Sequence, residues 1–145
     1  MGYIDAVNTV KTAIESLPYA VMFGHGGDSE FNQMQDRKYP LVWSNPIPRR
    51  LPAKNTLLNV DRYTFDLYFF VKGRMDDQAG LQNDRVDFSE SIAQEFIASL
   101  DDNQELEIGD VTISPLQRTT FGVDHTSGCR LSFELTLFDT YRCPA

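Results

Sequence analysis

The sequence is poor in the residues and patterns that carry chemistry. It has 2 histidines and 2 cysteines among 145 residues. It contains no P-loop, no dinucleotide fingerprint, no paired-histidine metal helix and no cysteine pair at zinc spacing. Basic residues are also scarce. Lys and Arg number 13 against 21 Asp and Glu, giving a net charge of -8 and a pI near 4.6. That excludes a broadly basic nucleic-acid surface, because binding of that kind neutralises phosphates. It leaves room for a protein that encloses DNA without holding it. Long hydrophobic runs are missing as well. No run is longer than Leu67–Val71, which falls far short of the roughly 20 residues of a membrane-spanning helix. Met1–Val10 has neither the basic nor the apolar region of a signal peptide.

Cys129 and Cys143 flank a segment that reads as extended. Fourteen steps at about 3.3 Å each place them roughly 45 Å apart, whereas a disulfide needs Cα atoms within about 7 Å. A bridge would require the chain to fold back after Tyr141. Two reduced thiols fit a cytoplasmic protein. His25 and His125 lie in Gly-rich stretches and read as solvated turn residues. His25-Gly26-Gly27 has the look of an esterase oxyanion loop, but the nucleophile elbow that works with such a loop is missing. His25, Asp28 and Glu30 could offer a metal three ligands, at a spacing common in polar loops. No catalytic residue, metal site or cofactor is expected, and the chain does not read as an enzyme.

What the sequence does have is a strong fold signal. Over Thr56–Lys72, Tyr63, Phe65, Leu67, Phe69 and Val71 alternate with Thr64, Asp66, Tyr68, Phe70 and Lys72. Side chains of a strand point to alternate faces, so this is a strand with one buried face. Phe69 and Phe70 together put an apolar group on both faces, which predicts a central strand covered on both sides at that end. Gly2–Leu17 carries Tyr3, Val7, Val10, Ile14 and Leu17 at helical spacing and ends at Pro18. Asp77–Leu100 predicts a second helix with Leu81, Arg85, Phe88, Ile92, Phe96 and Leu100 on one stripe, widened by Val86, Ala93 and Ile97.

Shorter signals fill in the order. Ala20–Phe23 and Tyr39–Ser44 read as strands, with a turn at Gly24–Asp28 between them. Glu105–Gln117 reads as strands around a Gly109-Asp110 turn, with Val111 and Ile113 inward and Pro115 as an interruption. His125-Thr126-Ser127-Gly128 marks a hairpin. In the last strand Leu131, Phe133, Leu135 and Leu137 face in, and Ser132, Glu134 and Thr136 face out. No repeat or domain boundary interrupts residues 1–145. The expectation is one α+β domain: a mostly antiparallel sheet with two helices on one face, in the order α-β-β-β-α-β-β-β.

Asn45–Asn55 stands apart, with Pro46, Pro48 and Pro52 beside Arg49, Arg50 and Lys54. Helix and central strand are both disfavoured there, and a loop of that length is usually functional or mobile. Charge divides along the chain. Asp36–Lys54 has five basic residues and one acid, a net +4, while Asp84–Asp110 has nine acids and one base, a net -8. Two solvated surfaces of opposite sign are the plain reading. Head-to-tail contact between copies, basic loop on acidic face, is the sharper one, since heterologous contacts close into rings.

An N-terminal helix, a few strands with a long extended loop, a second helix and a closing run of strands resembles the tail-terminator and head–tail connector proteins of tailed bacteriophages. The segment Asp36-Arg37-Lys38-Tyr39-Pro40-Leu41-Val42-Trp43 is similar to neck-ring proteins of phages infecting Bacteroides-type hosts, including crAss-like phages. The resemblance implies a structural virion subunit, made in the host cytoplasm and placed at the head–tail junction or the tail top. Six or twelve copies would form a ring beside portal, adaptor or tail-tube proteins. Double-stranded DNA would pass through without specific binding, and no membrane is involved. On that reading Pro46, Pro48, Arg49, Arg50, Pro52 and Lys54 form an arm reaching a neighbouring subunit or ring. Asp84, Asp87, Glu90, Asp101, Asp102, Glu105 and Glu107 line the lumen or meet the arm. The competing reading is a small monomeric α+β adaptor or ligand-binding domain without catalytic activity, with its site in a cleft between helix and sheet.

Overall fold

A computed structural model of the protein describes residues 3–18, 21–25, 39–44, 49–51, 60–72, 79–103, 106–121 and 124–138. Among these residues two helices, α1 (Tyr3–Glu15) and α2 (Ala79–Asp101), accompany six strands. The strands are β1 (Met22–His25), β2 (Leu41–Ser44), β3 (Arg49–Leu51), β4 (Val60–Lys72), β5 (Leu106–Phe121) and β6 (Asp124–Phe138). The sheet runs β1-β2-β4-β6-β5, with β3 also paired to β4. Every pairing is antiparallel except β1 with β2. The class is α+β, as expected. The order has one more strand before the second helix and one fewer after it.

The period-two pattern of β4 sets this arrangement. Tyr63, Phe65, Leu67 and Phe69 are buried, and the intervening Arg62, Thr64, Asp66 and Tyr68 are half-buried on the opposite face. β6 pairs with β4 without a slip from Val60↔Phe138 to Lys72↔Thr126. It lays Leu131, Phe133, Leu135 and Leu137 on the same inner face. Both helices cover that face, with Ala6, Val10 and Ile14 of α1 and Ile92, Phe96 and Leu100 of α2 in one core. The Phe96 ring meets Phe133 edge-on at 5.7 Å and Phe69 at 6.1 Å, while Phe133 stacks on Phe65 at 5.5 Å. Each such side chain contributes about 1.5–3 kcal/mol by leaving water.

The second face is apolar only at one end. Leu41, Trp43 and Phe70 are buried together, with Met22, Tyr39, Tyr68 and Leu116 against them. The double coverage read from Phe69 and Phe70 is therefore present. Trp43 lies over Gly24, where an added Cβ would stand 2.5 Å from the indole. Further along the same face, Arg62 pairs with Glu134 at 3.3 Å and Arg130 with Asp66 at 3.1 Å.

Several local expectations give way. Gly24 and His25 belong to β1 and not to a turn. Residues 45–55 are not a loop throughout, because Arg49–Leu51 is a strand on the edge of β4. Glu105–Gln117 is not two strands: Leu106–Phe121 is a single strand, and Gly109-Asp110 marks a bulge. The pairing with β6 moves on three residues from Gly109 to Thr112 but only two from Glu134 to Ser132. Asp110 absorbs the extra residue at φ 49°, a conformation Asp tolerates better than most side chains. Val111 is consequently turned out, at 43% exposed, while Ile113 packs inward. Pro115 sits within β5 opposite Cys129, allowed because β5 is an edge strand and proline lacks only the donor such an edge can spare. Thr126, Ser127 and Gly128 are buried inside β6, and His125 pairs with Thr120. The two long strands end and begin at Phe121 and Asp124, so the hairpin falls there.

On α2 the stripe is rotated in its first half. Leu81 and Phe88 are exposed, Val86 is buried as expected, and Ser89 is buried as well. The Ser89 hydroxyl donates to the Val86 carbonyl at 2.7 Å. Ser89 is also hydrogen-bonded to Cys129 of β6, a buried free thiol. Burial pushes this thiol up to about 11, with Ser89 partly offsetting and Glu90 adding to the rise. The native fold holds the thiol proton more tightly than the unfolded chain does. Stability should therefore fall between pH 9 and 11 by about 3 kcal/mol for this group. Urea unfolding across that range should show a loss larger in the wild type than in Cys129→Ala by about that amount. Equal slopes would contradict it. Cys143 lies outside the described residues.

Candidate subunit interface

β3 and β2 lie along the same edge of β4 and behave as one interrupted strand. Ser44 pairs with Leu67 and Arg49 with Thr64. Five steps on one side match three on the other, so the register shifts by two between β2 and β3. Pro46, Pro48, Pro52 and Lys54 lie outside the described residues. Arg49 and Arg50 are strand residues, held at register positions opposite Thr64 and Tyr63. Among the described strands β3 pairs only with β4, which puts two arginines on a sheet edge.

The acids occupy the other side of the molecule. α2 packs over β5 and β6, at the far end of the sheet from β1. Asp84 and Asp87, with Ser91, Glu95, Ala98 and Asp101, recur at spacings of three and four on its outer side, and Asp84, Asp87 and Asp101 are exposed there. Asp102 is exposed just beyond the helix, and Glu90 is half-buried toward β6. Glu107 and Asp110 are exposed on β5; Glu105 lies outside the described residues. Asp110 closes the acidic segment read from the sequence, but its place on an edge strand does not show there, because Gly-Asp reads as a turn and the edge depends on pairing far away in sequence.

The register aligns the two edges. Arg50 faces Tyr63, Tyr63 faces Leu135, and Leu135 faces Ile108. In the same way Leu51 leads through Arg62 and Thr136 to Glu107, and Arg49 through Thr64 and Glu134 to Gly109. The basic edge and the acidic edge thus sit on the same three rungs, at opposite ends. The charges between them are matched, since Arg62 is paired with Glu134 on those rungs.

A groove of about 660 Å³ lies between α1 and the end of α2. Asp5, Asn8, Thr9, Thr12 and Ser16 line one wall, and Ser99 and Asn103 the other. It offers hydroxyls, amides and one carboxylate, a hydrogen-bonding surface without a base–nucleophile pair. It lies between the two helices and not between helix and sheet. Among the described residues no group of three or more His, Cys, Asp and Glu could hold a metal ion. Asp28 and Glu30 fall outside those residues. No described helix is long and apolar enough to cross a membrane. No protein-family model matches the chain, and no curated protein matches it either.

Proposed function

We propose that this protein is a structural virion component, one subunit of a homo-oligomeric ring at the head–tail junction or tail top of a tailed bacteriophage. Double-stranded DNA passes through the ring, and portal, adaptor or tail-tube proteins are its axial neighbours. The observation that carries the reading is the exposed acidic stripe of α2, Asp84, Asp87 and Asp101 with Asp102 beside it, on a chain of net charge -8. A lumen lined by carboxylates repels phosphate, so DNA slides without being retained. Opposite charge at the two sheet edges adds the polarity that head-to-tail closure needs.

Native mass spectrometry and electron microscopy of the purified chain test this. Closed particles of six or twelve copies are expected, alone or with portal, together with no DNA retention at low salt. A monomer at every concentration, with and without portal, would contradict the proposal. The groove between α1 and α2, of mixed polar and apolar lining, favours a second reading, a monomeric adaptor or ligand-binding domain. A tight thermal-shift hit on a protein that stays monomeric would select it.

A further inference from the structure

We infer that neighbouring subunits join by strand addition, with the β3 edge of one copy (Arg49–Leu51) pairing with the β5 edge of the next (Leu106–Gly109). This rests on the ring reading and adds to it the surface that closes the ring.

Direction comes first. β3 and β6 are both antiparallel to β4, and β5 is antiparallel to β6. β3 and β5 therefore run opposite to each other. A rotation about an axis along the strands preserves strand direction, so it brings β3 of one copy beside β5 of the next as an antiparallel pair. Height comes second. The two segments occupy the same three rungs of the sheet, so the added strand meets its partner without a large axial step. A contact without axial rise closes into a ring, whereas a stepped one grows a helix.

Extent is limited by the strand itself. From Leu106 to Gly109 β5 pairs regularly with β6; then comes the bulge at Asp110, and further on Pro115, which has no N–H to give. Among the described strands β5 pairs only with β6, so four residues of edge face a three-residue strand, and the bulge and Pro115 blunt the remainder of β5. Charge chooses the partner. β3 carries Arg49 and Arg50 at register positions opposite Gly109 and Ile108, and β5 carries Glu107 and Asp110, so β3 on β5 sets opposite charges on one edge pair, while β3 against β3 or β5 against β5 sets like charges together. The edge pair thus fixes register and partner, and the area beyond it comes from the flanking elements.

Two variants test this by native mass spectrometry, each checked for a cooperative melt. Arg49→Glu/Arg50→Glu makes both edges acidic. Glu107→Arg/Asp110→Asn turns the acidic edge basic, with Asn keeping the left-handed backbone at 110. Each variant alone should lose assembly, with affinity reduced about 100-fold or more. An equimolar mixture should recover a ring in which the two chains alternate, and six or twelve copies both allow this. Hydrogen exchange on the wild type supplies a readout without substitutions: amides of 49–51 and 106–109 should exchange about tenfold more slowly in the particle than in dissociated chains. If the wild type assembles but both variants do too, or these amides gain no protection, the edge pairing is wrong and the ring survives. If the wild type never assembles, both fail together.

Discussion

Gly128→Ala should cost about 4 kcal/mol or more, placing it among the most damaging single substitutions in the chain. Gly128 stands in β6 opposite Phe70. A Cβ there would lie 1.8 Å from the Phe69 carbonyl oxygen, 2.9 Å from its carbon and 3.2 Å from the Phe70 Cα. All three are backbone atoms of β4, the strand paired on both sides. No rotamer change can move them. Relief requires the two longest-paired strands to part, with ladder hydrogen bonds lost and Phe69 and Phe70 shifted in both apolar clusters. Gly24→Ala is the control. Its Cβ would meet the Trp43 ring at 2.5 Å, and a side chain can turn aside, so a loss of about 1–3 kcal/mol is expected. Urea unfolding measures both. A Gly128→Ala midpoint equal to or above that of Gly24→Ala would refute the close approach of β4 and β6.

Phe96→Ala should cost about 3–5 kcal/mol, the range for removing a fully buried aromatic side chain. Phe96 is the ring of α2 that reaches the sheet, touching Phe69 of β4 and Phe133 of β6. Its loss removes area from three elements at once and leaves a hole where the helix docks. Phe96→Leu, which keeps most of the volume, should recover all but about 1–1.5 kcal/mol. Phe88→Ala, at a site 39% exposed, should cost about 1 kcal/mol or less. Thermal and urea unfolding of the three variants establish the ranking. A loss for Phe88→Ala as large as for Phe96→Ala would overturn the orientation assigned to α2.

That contrast marks where the sequence stops being readable. β4 and the end of β6 are legible because one face is buried along their length, and alternation survives such an environment intact. The stripe of α2 is legible only after Ile92. In its first half the helix approaches β6 at Ser89, where a small polar residue bonds its own turn and meets the Cys129 thiol. Hydrophobicity cannot flag a buried serine, so Phe88 takes its place in the pattern. Gly109-Asp110 and His125–Gly128 carry turn chemistry but lie in strands. In the first case the chain needs a left-handed residue for a bulge, and in the second two backbones come too close for a side chain. The basic segment and the acidic segment are legible as charge, but the height of 49–51 relative to 106–109 is invisible in the sequence. Leu51 shares a rung with Glu107, and Arg50 with Ile108, only through three successive strand pairings, which no local pattern encodes.

Trp43 is the only tryptophan in the chain, and it belongs to the small cluster on the far side of the sheet from both helices. Its emission therefore watches the β1–β2 corner, while far-ultraviolet dichroism is dominated by the helices. The two signals thus time separate parts of one molecule during heating. If the fluorescence and dichroism curves coincide, the two apolar layers melt as one cooperative unit; if the fluorescence changes first, that corner opens while the helical layer still stands.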